Sequence, residues 1–197
     1  MARLILSGGG LGLRADAWPE ALDWLATAPA PLHLASLASH DLRQAQTLAA
    51  LLGQRNSAVE ILSPGSGDPL RGTIFLCGGD ATLLAEDPMR ASQLRRWIAL
   101  PELTVVADSA SAMALGRRAA SCTCGGHPIR TVAGLGALGE WSILAHAEGP
   151  HDARIAALHD PETPGGGAQL ALRTGEAVEV VGLPDAVRFE RVSWSRT

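Results

Sequence analysis

Tyrosine is absent from this 197-residue chain, and phenylalanine occurs only twice. A surface that stacks nucleic-acid bases on aromatic rings is therefore not expected. A basic excess is lacking too: 16 Lys+Arg stand against 20 Asp+Glu, a net charge of −4, which leaves no electrostatic footprint for nucleic acid. No apolar run approaches the roughly 20 residues that span a bilayer. The opening Met-Ala-Arg-Leu-Ile-Leu-Ser is too short an apolar run for a signal peptide before glycines interrupt it. Cysteine is scarce and odd in number, three residues, which argues against a disulfide framework. These absences predict a cytoplasmic protein with neither a nucleic-acid nor a membrane partner.

What is present is a globular composition on the apolar side, 47% hydrophobic and 18% charged. The length suits one large domain, 1–197, with a real core. Short apolar runs alternate with amphipathic stretches. Strands are expected at Arg3 to Leu6, Pro31 to Leu37, Ala58 to Leu62, Gly72 to Leu76 and Leu103 to Val106. Helices are expected from Ala17 to Ala26, from Asp41 to Leu52 with Gly53 as cap, and from Pro88 to Leu100 with Arg90, Arg95 and Arg96 on the solvated side. Ala177 to Val181 and Val187 to Val192 read as closing antiparallel strands. This order predicts an α/β, flavodoxin-like three-layer sandwich: a mostly parallel central sheet with a small antiparallel C-terminal extension.

The stretch from Leu103 to Gly116 organises the rest. A buried-strand pattern runs into a turn whose neighbours Ala107, Ala110, Ser111 and Ala112 are all small, and an Ala-rich helix follows. Strand, tight turn and helix with Ser109 at the apex is the layout of a nucleophile elbow. It would lift the hydroxyl above the sheet and aim the Ala110 N–H at a developing oxyanion. The plainer alternative is a serine that only caps the helix. Upstream, Cys77-Gly78-Gly79-Asp80-Ala81-Thr82-Leu83-Leu84 ends another strand. Its glycines let backbone approach a reacting carbonyl closely; the plainer reading is a strand-to-helix turn with Asp80 as cap. Ser7 to Gly12 is glycine-rich but has neither P-loop nor dinucleotide-fingerprint spacing. Cys122 and Cys124, with His127 nearby, have the wrong spacing for a zinc ribbon and read as two thiols, so neither a metal nor a cofactor is expected. Cys77, at a strand end, is expected to be buried.

These blocks resemble peptidase family S51, the dipeptidase E and cyanophycinase-like enzymes of the class I glutamine amidotransferase-like superfamily. Their elbow reads Gly-x-Ser-Ala-Gly; Ser109 and Ala110 match, while Ala107 and Ser111 stand where the family has glycine. Gly78, Gly79, Leu83 and Leu84 match the family's glycine loop, with Asp80 in place of its amide residue. Val132 to Gly139 matches a glycine-leucine segment, and His146 lands on the catalytic histidine seven residues past it. Arg154 fits the arginine-rich helix that follows.

The resemblance implies hydrolysis of a peptide bond next to Asp through an acyl-enzyme. Ser109 would attack, His146 would act as base and then acid, and Gly79 and Ala110 would form the oxyanion hole. Asp80 would meet a substrate amine, and Arg154, Arg14 or Arg130 an acidic side chain. The expected partner is a small peptide, with a homodimer left open. A serine is weak until a positioned base takes its proton, and an acid normally orients that base. The family's acidic positions are empty here, with no acid between Ser111 and Gly139 and Leu144 in place of an aspartate. Asp108, Glu140 and Glu148 are the substitutes to consider. His40, His127, His151 and His159 read as exposed or structural. The alternative function is a catalytically degenerate homologue, a small-molecule-binding or interaction module.

Overall fold

The computed structural model describes residues 1–10, 18–55, 57–121, 128–149, 152–159, 167–182 and 186–194. In chain order the first half supplies β1 (Arg3–Ser7), α1 (Pro19–Ala26), β2 (Leu32–Ala35), α2 (Arg43–Gly53), β3 (Val59–Leu62), β4 (Gly72–Leu76), α3 (Ala81–Glu86) and α4 (Pro88–Ala99). The second half supplies β5 (Leu103–Asp108), α5 (Ala110–Leu115), β6 (Arg118–Ala120), β7 (Thr131–Ala133), β8 (Trp141–Leu144), α6 (Ala153–Leu158), β9 (Ala168–Ala171), β10 (Ala177–Val181) and β11 (Arg188–Arg191).

Seven strands form the central sheet in the order β11-β10-β1-β5-β4-β2-β3. The five from β1 to β3 run parallel, and β10 and β11 close one side antiparallel. This is the α/β flavodoxin-like architecture, mostly parallel with a small antiparallel extension. Two small sheets sit beside it, β6 with β7 and β8 with β9.

The strand sequences explain why the sheet is covered on both sides. Every residue of β4 and β5 is buried, as expected of parallel strands between helical layers. Alternate side chains enter opposite cores. Leu4, Leu6, Ile74, Leu76, Val105 and Ala107 join Leu94 and Trp97 of α4 and Met113 of α5. Ile5, Phe75, Cys77 and Val106 join Leu22 and Leu25 of α1 and Leu48 and Leu52 of α2. Proline opens α1 and α4, where its missing N–H has no intrahelical partner to lose. Asp80, Asp87 and Asp152 cap α3, α4 and α6 with their side chains.

Three expectations change. Gly53 is the last helical residue of α2, and the cap falls on Gln54 in right-handed conformation. Arg90 is not solvated: its side chain is 11% exposed, and Nη1 donates to the carbonyls of Leu37 at 2.7 Å and Ser39 at 2.6 Å. It therefore ties α4 to the loop leaving β2. The second helix begins at Arg43, with Leu42 at its N-cap, and not at Asp41. The expected start of the first helix at Ala17, the Leu11–Gly12 end of the first glycine loop, Cys122, Cys124, His127 and His151 lie outside the described residues. Among the described residues no helix is long and apolar enough to cross a membrane.

Phe75, fully buried at the centre of the sheet, supports both β4 and the loop after it. Phe75→Ala is expected to lower the unfolding free energy by about 3–5 kcal/mol, measured by urea denaturation followed by circular dichroism.

Candidate active site

The loops leaving the carboxyl ends of β1, β2, β4 and β5 meet at one end of the sheet, where open α/β sheets hold ligands. Ser109 links β5 to α5 at φ 52 and ψ −113. That backbone conformation is costly for a residue with a Cβ and is a mark of functional turns. The side chain makes no capping hydrogen bond to α5, so the helix does not consume the hydroxyl. The backbone N–H of Ser109 donates to the carbonyl of Ser7 at 3.0 Å.

The small neighbours of the elbow have separate tasks. Ala107, Ala110 and Ala112 are buried, which lets β5 and α5 approach. Ser111, where the resemblance expects glycine, donates its hydroxyl to the carbonyl of Cys77 at 2.7 Å. This bond ties the first turn of α5 to the end of β4. The glycine loop there faces the serine: a Cβ on Gly78 would lie 3.2 Å from Ser109 Cβ and 3.6 Å from Ser109 Oγ. Gly79 sits at φ 145, and a Cβ on it would fall 2.0 Å from the Ala38 carbonyl oxygen, so no other residue fits without moving the loop. Asp80 then donates its N–H to that same Ala38 oxygen at 2.7 Å. Its Oδ1 accepts from both the backbone N–H and the hydroxyl of Thr82, each at 2.8 Å. One carboxylate oxygen of Asp80 is thus committed to capping α3. The Ala110 N–H is among the first-turn donors that an α-helix leaves without an intrahelical acceptor.

His146 follows β8, also at φ 52, and its N–H donates to the carbonyl of Gly8 at 2.9 Å. Ser109 and His146 are therefore anchored to successive carbonyls at the end of β1. The imidazole lies over Gly9: a Cβ there would fall 2.2 Å from Cε1 and 2.3 Å from Nε2. Nδ1 is 2.9 Å from Thr174 Oγ1. With its proton on Nδ1, the ring donates to that hydroxyl and keeps the Nε2 lone pair for a substrate or nucleophile proton. Burial holds the imidazole pKa below its usual value, and the Arg154 charge lowers it further.

Arg154 is buried beside Asp152, each side chain 6% exposed. Its Nη2 donates to Asp152 Oδ2 at 2.6 Å and to the His146 carbonyl at 2.8 Å, and its Nε to Asp152 Oδ1 at 3.0 Å. The hydrogen bonds from Arg154 hold the Asp152 carboxyl down to about 2. The other candidate cation, Arg130, reaches Glu86 at 2.5 Å, and Arg14 lies outside the described residues.

Two of the three substitute acids are occupied elsewhere, and the third faces solvent. Asp108 is buried and accepts from the Ser7 hydroxyl at 2.7 Å. Glu140 is paired with Arg117. Glu148 is exposed. Among the described residues, the side chain hydrogen-bonded to the imidazole is a hydroxyl and not a carboxylate. Sequence reasoning missed Thr174, since a threonine in a turn carries no motif. It also passed over His33, buried on β2 with Nδ1 3.1 Å from Glu60 Oε2 on β3. Cys77 is buried as expected, and burial, then the Asp108 charge, push its thiol up to about 12. At neutral pH it is not a nucleophile.

Two solved structures share this architecture. A peptidase from an acI-B1 Actinobacterium aligns at a TM-score of 0.63 and 18% identity, over 98% of this chain and 88% of that one. A Peptidase E candidate from Listeria monocytogenes EGD-e aligns at a TM-score of 0.60 and 17% identity, over 98% of this chain and 100% of that one. No family model and no curated protein matches the chain. The chain shares the fold of these two structures.

The contact between Gly9 and the imidazole gives a sharp test. Gly9→Ala puts a Cβ into the ring at φ 100 and is expected to cost about 1–3 kcal/mol of stability through backbone strain. Because a flexible side chain is what must yield, the fold survives and the ring moves. The His146 ring resonances in an NMR spectrum should shift while the thermal transition stays cooperative.

Proposed function

We propose that the chain is a serine peptidase, hydrolysing a small peptide through an acyl-enzyme formed on Ser109. The observation that supports this most is the pair of anchors on β1: a serine at a strained elbow with its hydroxyl unspent, and a histidine held one carbonyl further along. In this reading Ser109 Oγ attacks the scissile carbonyl and passes its proton to His146 Nε2. His146 then protonates the leaving amine, and a water activated by the same nitrogen hydrolyses the acyl-enzyme. The N–H groups of Gly79 and Ala110 receive the oxyanion. Thr174 fixes the ring and its tautomer. A hydroxyl carries no charge to stabilise the imidazolium, so turnover is slow beside a Ser-His-Asp enzyme, where disabling the acid costs about 10⁴-fold. A preference for a peptide bond next to Asp is carried by the family resemblance, with Asp80 at the rim as the group for a substrate amine through its second carboxylate oxygen.

That same hydroxyl favours a second reading, a degenerate chain that binds a small molecule without cleaving it. Fluorophosphonate labelling separates the two. Ser109 is expected to label, with labelling abolished in Ser109→Ala and reduced at least about 100-fold in His146→Ala. Absence of label on the folded wild type decides for the binding module. The pH dependence has a defined sign. Both burial and Arg154 disfavour the imidazolium, so the neutral base persists to lower pH than in a free histidine. The acid limb of kcat/KM should fall below about pH 6.5.

Thr174 is tested by its conservative variants. Thr174→Ser keeps the hydroxyl and should retain most of the wild-type kcat. Thr174→Val keeps the shape, leaves Nδ1 without its partner, and should lower kcat by about 10-fold or more. Steady-state kinetics on an Asp-containing dipeptide measures both.

A further inference from the structure

The resemblance sets Arg154 among the groups that could meet an acidic substrate side chain, but its surroundings point elsewhere. A substrate-reading arginine needs its fork exposed in the cleft. Arg154 is 5% exposed, and its Nε and Nη2 are both committed, to Asp152 and to the His146 carbonyl. Asp152 is fixed in turn: Oδ1 also accepts the Arg154 backbone N–H at 3.0 Å as the cap of α6, and Oδ2 accepts the Glu148 backbone N–H at 3.3 Å. The carbonyl that Arg154 grips belongs to a residue at φ 52, where a side chain other than glycine is held only if its surroundings over-determine it.

We propose that Arg154 and Asp152 are positioning residues: through the hydrogen bond to the His146 carbonyl, the pair holds the base in its strained backbone conformation, and Arg154 does not read the substrate. The His146 backbone is thus clamped at both ends, its N–H on Gly8 and its carbonyl on Arg154. The role rests on the hydrolase reading, and the geometry alone carries the clamp. Among the described residues, the charged groups on the segments bonded to His146 are Arg154 and Asp152 at the start of α6, Glu148 just before it, and Arg173 and Glu176 on either side of Thr174, with Asp108 at the end of β5. Of these, Arg154 is the one whose charge disfavours the imidazolium, and Asp152 is its ion-pair partner.

The test uses Arg154→Gln, Arg154→Lys and Asp152→Asn in the full chain, with Asp-Xaa and Ala-Xaa dipeptides as paired substrates. A clamp predicts that both Arg154 variants lose kcat by about 10- to 100-fold, equally on the two substrates, because the base is displaced. It also predicts opposite pH shifts. Arg154→Gln removes the cation and raises the His146 pKa; Asp152→Asn uncovers the cation and lowers it. Arg154→Lys and Asp152→Asn keep a charge or a cap in place should Arg154→Gln fail to fold. A KM increase confined to Asp-Xaa would mean that Arg154 reads substrate and would overturn the proposal. So would kcat values equal to wild type in the folded Arg154 variants. NMR titration of His146 provides a readout that needs no turnover. If wild-type Ser109 neither labels nor turns over, the hydrolase reading fails on that evidence alone. Displaced His146 backbone and ring resonances in the folded Arg154 variants then still support the clamp, and resonances unmoved from wild type overturn it.

Discussion

Two adjacent peptide carbonyls at the end of β1 hold the candidate site together. The Ser7 oxygen takes the N–H of Ser109, and the Gly8 oxygen takes the N–H of His146. Each bond is ordinary in strength, a net contribution of about 1 kcal/mol. What matters is that both donors have strained backbones, at φ 52 in each case, and that both are brought to one strand from distant parts of the chain. Strain of this kind persists only where the surroundings leave no alternative. Here the surroundings are a buried parallel sheet, the Ser111 bond to the Cys77 carbonyl and the Arg154 bond to the His146 carbonyl. The chemistry attributed to the site is therefore a property of the whole sheet end.

The polar groups beneath that end follow the same logic. Ser7 spends its hydroxyl on the Asp108 carboxylate, so the acid nearest the nucleophile in sequence is held by β1 and not by the histidine. Asp80, which the sequence places where negative charge would oppose an oxyanion, gives one oxygen to Thr82. A buried carboxylate without hydrogen bonds would cost several kcal/mol. For the buried Asp108, the Ser7 hydroxyl meets part of that requirement.

Much of the fold was legible because burial in a parallel sheet writes a strong local pattern. The run Gly72–Leu76 is continuous in apolar and β-branched residues and forms a strand with those same bounds. The elbow was legible for a steric reason, since only small residues let β5 and α5 come so close. Legibility ended where function depends on residues distant in sequence. Thr174 meets His146 across 28 positions, and nothing about a threonine in a turn announces it. Arg154 was visible as a cation, but its burial beside Asp152 depends on how α6 folds back, which composition does not encode. Arg90 misled in the same way: its helical position suggests solvent, whereas its guanidinium finds two loop carbonyls. Three-residue elements such as β6 are too short to show a periodicity.

The reversed direction of β10 has one more consequence. Had that strand run with its neighbour β1, its leading turn would lie at the far end of the sheet. Running against it, the strand delivers its beginning, and with it Thr174, to the imidazole. That turn belongs to a connection between a minor ribbon and the margin of the main sheet, and its threonine is exposed. The hydroxyl that meets the His146 ring is therefore the least architecturally constrained member of the constellation. Replacement at 174 therefore leaves the scaffold undisturbed, whereas Ser109 and His146 are locked into the framework that presents them.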